Sequence, residues 1–261
     1  MTREIPYVLM DPTGNRTILA EGDVPEARQP EAASRLMELE PSAEQVGFLS
    51  RSGGLALRMA GGEFCGNAAM CAAVLHGIRS GLDQGRVSVA VSGAEEPVTV
   101  EFSALPGGLW RGQVDMPRPR AVRTVRFSEA GALPVVEFRG ISHVILEREM
   151  EKAQAETLAR QWCRTLGADA LGLMFLDRGA GRLTPLVYVP GADTLFWESA
   201  CGSGTSAVGA WMARERGART ELKLAQPGGV LEVAADPSGA LRLKGTVRCL
   251  YERTASLNIQ I

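Results

Sequence analysis

A Cys-Gly pair leading into small and apolar residues occurs twice in this chain, and that repetition constrains the fold more than any other feature. Phe64-Cys65-Gly66-Asn67-Ala68-Ala69-Met70-Cys71 is answered 136 positions later by Ala200-Cys201-Gly202-Ser203-Gly204-Thr205-Ser206-Ala207. At that spacing Gly66 falls on Gly202, Asn67 on Ser203 and Gly81 on Gly217. An internal repeat sets architecture before any single element does. The chain reads as two half-chains, each with a cysteine at the start of a buried central helix.

Each repeated segment is about sixteen residues long, a little over four helical turns. Apolar and small residues cover most of its circumference, as in a helix surrounded by other structure. Charges gather only near the end (Arg79; Arg214, Glu215, Arg216), and the following glycine is a stop signal. The start carries the chemistry. The first N–H groups of a helix lack internal partners and bear the positive end of its dipole. Such an end binds anions, glycine lets a ligand approach the backbone, and a thiol placed there has its pKa lowered.

Bulk properties narrow the function classes. The 261 residues accommodate two lobes of about 130 residues, an ordinary domain size. At 45% hydrophobic and 22% charged, the composition is that of a soluble globular protein. A net charge of −2 gives no support for nucleic-acid binding. No apolar run approaches the ~20 residues that cross a bilayer, and Met1-Thr2-Arg3-Glu4-Ile5-Pro6 has no leader pattern. Five cysteines, an odd number without framework spacing, fit a reducing cytoplasm. With two histidines and no Cys-x-x-Cys, a zinc site has little material.

Along the chain, strands are expected at 5–10, 17–20, 45–49 and 55–59, with a helix over 30–39. After the first central helix come strands at 86–91, 97–102 and 109–116. Pro117-Arg118-Pro119-Arg120 is the expected crossover, since paired prolines break helix and sheet. The second half has strands at 122–127, 134–138, 171–175 and 186–189, an amphipathic helix over 151–166, then strands at 221–224, 230–234 and 241–251. Runs of strands rather than βαβ alternation indicate an α+β fold. The lobes are expected at 1–118, joined by the C-terminal strand 254–261, and at 119–253.

Cys71, Cys163 and Cys249 read as small buried hydrophobes. Cys65 and Cys201 differ, occupying the same place in a repeated motif. A protease-type nucleophile needs one cysteine with a histidine base, and the repeat supplies two cysteines with no paired histidine. His76 reads as a packing residue, and His143 as either packing or support for the site. Two equivalent thiols around one anion site suit stereochemical inversion. One thiolate removes a proton from carbon while the other thiol delivers one to the opposite face. Donors aimed at a carboxylate take up the charge of the carbanion. No pyridoxal lysine, metal or other cofactor is required.

At these residues the chain resembles the diaminopimelate epimerase superfamily of cofactor-independent amino-acid racemases and epimerases, over essentially its full length. Cys65-Gly66-Asn67 and Ala200-Cys201-Gly202-Ser203-Gly204 match the two catalytic-cysteine motifs. Gly14-Asn15, Glu44-Gln45 and Val114-Asp115-Met116 match further family segments. The resemblance implies two pseudo-symmetric lobes, each a barrel-like, mostly antiparallel sheet around a central helix, with the active site between them. It also implies Cys65 and Cys201 as the catalytic pair, Asn15 and Gln45 in the substrate pocket, and carboxylate binding by the backbone amides of Gly66, Asn67, Gly202 and Ser203.

Departures from the epimerase pattern bear on the substrate. The distal clamp of diaminopimelate epimerases is replaced here by Met59, Ile141-Ser142-His143, Ala170 and Tyr188-Val189-Pro190-Gly191. A buried charge without a partner costs several kcal/mol, so a substrate charged at both ends fits poorly. The retained cysteines and lost clamp resemble the histidine racemases of metallophore pathways. Met59, Phe196 or Trp197 would pack on an imidazole, and Glu198 or Asp193 would meet the α-ammonium. The reading is thus a racemase acting on a small-molecule amino acid, without nucleic-acid or membrane partners. Diaminopimelate epimerase, or a thiol-dependent isomerase or dehydratase of a small carboxylic acid, is the alternative. The sequence leaves the quaternary state open, a homodimer being one option.

Overall fold

The structure, a computed structural model, describes residues 2–259. Met1 lies outside them, as do residues 260 and 261 of the expected strand 254–261. The described chain is a sheet-rich α+β fold that divides into two compact units. One runs through Val114 and resumes at Lys244; the other is Asp115–Leu243.

The first unit holds β1 (Thr2–Pro12), β2 (Thr17–Glu21), α1 (Gln29–Leu39), β3 (Gln45–Ser50), β4 (Leu55–Met59), α2 (Gly66–Ser80), β5 (Gln84–Val91), β6 (Val98–Leu105) and β7 (Leu109–Met116). The second holds β8 (Ala121–Phe127), β9 (Gly131–Phe138), β10 (Ile141–Leu146), α3 (Lys152–Leu166), β11 (Leu171–Asp177), β12 (Arg182–Val189), β13 (Thr194–Trp197), α4 (Gly202–Arg216), β14 (Thr220–Gln226) and β15 (Gly229–Ala235). The last strand, β16 (Leu241–Asn258), begins in the second unit and continues through the first.

In the first unit the strands follow the order β1 to β7, then β16, and β16 pairs back onto β1 antiparallel, closing the ring. The register slips between Leu9 and Met10, leaving Leu250 as an extra residue opposite. Such a bulge bends a strand and increases its twist, as closure requires. Within the ring runs α2, packed on β1, β2, β4, β5 and β6 and buried from Gly66 to Leu75. A Cβ on Gly112 of β7 would sit 2.8 Å from Met70 of α2, and one on Gly77 of α2 would collide with the ring of Phe102 in β6. Bare backbone there is what lets helix and sheet approach. On the outside, α1 presents Ala32, Ala33 and Leu36 to a core with Ile5, Ile18, Val46 and Phe48.

In the second unit the order is β15-β14-β12-β11-β10-β9-β8, with β13 branching from β12. Its helix α4 packs on β8, β9, β10, β11, β14 and β15. The buried hydroxyls of Thr205 and Ser206 donate back to the carbonyls of Cys201 and Gly202, at 2.7 and 2.9 Å, so neither is left unpaired. The amphipathic α3 lays Ala155, Leu158, Ala159 and Trp162 on Phe127, Leu171, Leu173 and Leu186. Among the described residues no helix is long and apolar enough to cross a membrane.

Candidate active site

Cys65 is the N-cap of α2, in extended conformation, and its sulfur accepts the Ala68 N–H at 3.4 Å. The cap thus occupies one of the helix's unpaired first donors. The other side of the sulfur meets a chain of amides with only one self-consistent orientation. The Glu44 carboxylate only accepts, so Asn15 turns its Nδ2 toward it at 2.7 Å. Asn15 Oδ1 then receives Gln45 Nε2 at 2.5 Å, and the second hydrogen of that nitrogen goes to Thr17 Oγ1 at 2.8 Å. Gln45 Oε1 is left facing Cys65, and the thiol donates to it at 3.3 Å. In this network the Cys65 thiol is the donor and the amide carbonyl its acceptor. The structure brings Asn15, Gln45 and Cys65 together, with Gly66 and Asn67 buried in the first turn of α2.

Cys201 is the N-cap of α4 and accepts the Gly204 N–H at 3.4 Å. Its setting differs from that of Cys65. It is 5% exposed and hydrogen-bonded to the carboxylate of Glu198, with Ser203 Oγ at 3.6 Å. Burial pushes its thiol well above the ordinary range, and the Glu198 charge and hydrogen bond push the same way; Ser203 and the Gly204 amide pull weakly downward. The lowered pKa expected for a helix-start thiol is therefore overturned at this cysteine. Removal from water beside a carboxylate outweighs the helix end.

Two supports of Cys201 carried no signal in the sequence. Gln226, at the end of β14, accepts the Cys201 backbone N–H at 2.8 Å and donates to Thr205 Oγ1 at 2.8 Å. It locks the turn entering α4. Met174 of β11 lies so close to Gly204 that any Cβ there would collide with its sulfur. His143 on β10 is fully buried, with Nε2 3.1 Å from Ser203 Oγ.

Other expected residues are elsewhere. Trp197 stacks on Phe175, with ring centroids 5.7 Å apart, and donates its indole N–H to Glu156 of α3 at 2.9 Å. Phe196 is exposed. Asp193 pairs with Arg160 on the surface of α3, leaving Glu198 as the acid beside a cysteine. Met59 is buried, its sulfur 3.2 Å from where a Cβ on Gly47 would stand.

Comparison with known proteins places the chain among racemases by sequence. The chain is 30% identical over 237 residues to a histidine racemase of Fusobacterium nucleatum, covering 87% of this chain and 88% of the relative. A histidine racemase of Staphylococcus aureus is 27% identical over 249 residues, 88% of each. A crystal structure of a hydroxyproline epimerase from Agrobacterium vitis shares the fold at a TM-score of 0.67 and 13% identity, over 98% of this chain and 93% of that one. Residues 4–251 match the family described as the histidine racemase CntK N-terminal domain, and the chain belongs to that family.

Proposed function

We propose that this protein is a cofactor-independent histidine racemase in which Cys65 and Cys201 act on the two faces of one α-carbon. The observation that carries the reading is the repeated N-cap cysteine, each sulfur tied to the N–H three residues on, in a chain whose relatives are named histidine racemases. Each unit carries one of the two cysteines, Cys65 in the first and Cys201 in the second. The free cysteines suit a reducing, cytoplasmic setting.

The different neighbours of the two thiols give them different resting roles. Cys65, donating to an amide, starts as the acid. Cys201 starts as the base, its proton passing to Glu198 as substrate arrives; the single negative charge moves from carboxylate to sulfur, and the incoming α-ammonium compensates the buried thiolate that desolvation otherwise disfavours. The thiolate takes the α-hydrogen and the electron pair moves onto the carboxylate. Backbone N–H groups of Gly66, Asn67, Gly202 and Ser203 receive that charge. Cys65 then gives its proton to the opposite face. The product is the mirror-image amino acid, and the thiols are left with exchanged protonation, ready for the reverse direction.

Incubation with L-histidine in D2O tests the reading. Solvent deuterium at the α-position and D-histidine by chiral chromatography are expected, both lost in Cys65→Ala and Cys201→Ala. No exchange with histidine refutes it. Exchange confined to diaminopimelate would indicate an epimerase, and a product of altered connectivity an isomerase or dehydratase.

A further inference from the structure

We propose that His143 is a positioning residue that turns the Ser203 hydroxyl toward Cys201, so that Ser203 supplies a hydrogen bond to the thiolate form of that cysteine. The inference rests on the reading of Cys201 as a proton-transfer group and adds a residue that never touches the sulfur itself.

The argument is one of donors and acceptors. His143 is fully buried on β10, edge-on to Phe138 with ring centroids 5.8 Å apart. Its Nε2 lies 3.1 Å from Ser203 Oγ, and its Nδ1 has no hydrogen-bond partner. Burial pushes its pKa down to about 3, so the ring is neutral and carries one N–H. An orphaned buried N–H is rarer than an orphaned acceptor, and the proton therefore resides on Nε2. Nε2–H donates to Ser203 Oγ. The serine proton is then directed away from the imidazole, and Cys201 Sγ, 3.6 Å from Oγ, is its acceptor. Gly172 makes room for this ring: a Cβ there would stand 2.6 Å from His143 Cδ2.

Cys201 is faced by few other groups. Glu198 presses its carboxylate on the thiol from the segment before α4, and Gly204 donates its backbone N–H. Gln226 from β14 reaches only the Cys201 backbone, and β11 offers the apolar Met174. The Ser203 hydroxyl is the side-chain donor for a negative sulfur, and its direction depends on His143.

The test is the pH dependence of iodoacetamide alkylation at Cys201 in the full-length protein without substrate, with the modified peptide identified by mass spectrometry. Ser203→Ala and His143→Leu are expected to move the midpoint upward by about one pH unit, a tenfold loss of thiolate at fixed pH. His143→Gln sets an amide nitrogen where Nε2 stands and should restore the wild-type midpoint; His143→Asn, too short on that side, should not. Circular dichroism and thermal melts verify folding. If His143→Leu does not fold, Ser203→Ala and the Gln–Asn pair decide. An unchanged midpoint in folded Ser203→Ala, or equal midpoints in the Gln and Asn variants, overturns the proposal. The titration uses no amino acid, so absence of histidine exchange would refute the racemase reading while leaving this result to stand by itself.

Discussion

Cys65 donates its thiol proton to the side-chain carbonyl of Gln45 across 3.3 Å, and that carbonyl has no freedom to turn away. Both hydrogens of Gln45 Nε2 are committed, to Asn15 and Thr17. Gln45→Ala therefore releases the thiol from a fixed direction while leaving its helix cap. Loss of one such bond, about 1 kcal/mol, corresponds to a rate lower by roughly fivefold, and misdirection of the proton adds to it. Racemisation is expected to fall about tenfold or more, with KM moving less than kcat. Steady-state kinetics check this, and an unchanged kcat would remove Gln45 from proton delivery.

Glu198 acts on Cys201 in a direction that can be measured. Its charge and its hydrogen bond both hold the thiol protonated. In Glu198→Gln the Cys201 thiol should titrate at a lower pH than in the wild type, seen as faster alkylation near neutrality. Racemisation should nevertheless fall by about 10²-fold or more, because the proton acceptor is gone. A variant whose thiol is unchanged, or that keeps full activity, would contradict the assigned role.

The first turn of α4 leaves no space beside Cys201. A Cβ at position 204 would overlap the Met174 sulfur and stand 3.3 Å from Cys201 Sγ. Overpacking a tight site costs about 1–3 kcal/mol, and a shift near 1 Å at a reacting group costs about 10²-fold in rate. Gly204→Ala should show both, and Met174→Ala in the same chain should recover part of each. Melting temperature and kcat measured on the single and double variants decide this.

What the sequence disclosed follows from local chemistry. Cysteine, glycine and a run of small residues marked both helix starts. Gly81 and Gly217, at φ +66° and +63°, end the helices in the left-handed conformation they favour. The unread parts depend on partners distant in the chain. Thr194–Trp197 follows a Pro-Gly turn and falls outside the strands expected from sequence, yet it is a strand paired with β12. That pairing sends Trp197 toward α3, where its indole N–H meets Glu156. Gln226 bonds a backbone 25 positions earlier, a contact set by how β14 meets the start of α4. The raised pKa of Cys201 needed its burial and the Glu198 contact, neither of which its position at a helix start reveals.

Glu40 anchors the end of α1 to the barrel wall. It accepts hydrogen bonds from Tyr7 at 2.7 Å, Tyr251 at 2.6 Å and Arg253 at 3.1 Å. Burial alone would raise its carboxyl pKa, but the two tyrosines and the arginine together bring it below the ordinary 4.5. Burial foremost, then the hydrogen bond and charge of Glu40, push Tyr7 up to about 12 against the opposing pull of Arg253. Glu40→Ala leaves two hydroxyls and a guanidinium without their acceptor and should cost about 2–4 kcal/mol in urea unfolding. A loss under 1 kcal/mol would mean that solvent replaces the carboxylate.

His143 gives the fold a separate sensitivity to acid. Its pKa is depressed from 6.5 to about 3 by burial, so between those values the unfolded chain binds a proton that the folded chain refuses. Falling pH therefore favours unfolding: the contribution is complete above 6.5 and lost progressively down to about 3. Glu40 acts lower, its contribution present above 4.5 and lost as pH falls through its depressed folded value. Burial also raises Glu63, which titrates alike in the wild type and in His143 variants, so over the interval from 6.5 to 5 the difference between them isolates the histidine. Across those 1.5 units the linkage amounts to about 2 kcal/mol. Urea unfolding at pH 6.5 and pH 5 should show most of that loss in the wild type and less than half of it in His143→Gln, which has no proton to gain. Parallel losses in the two proteins would mean that the buried imidazole opens to water well before the chain unfolds.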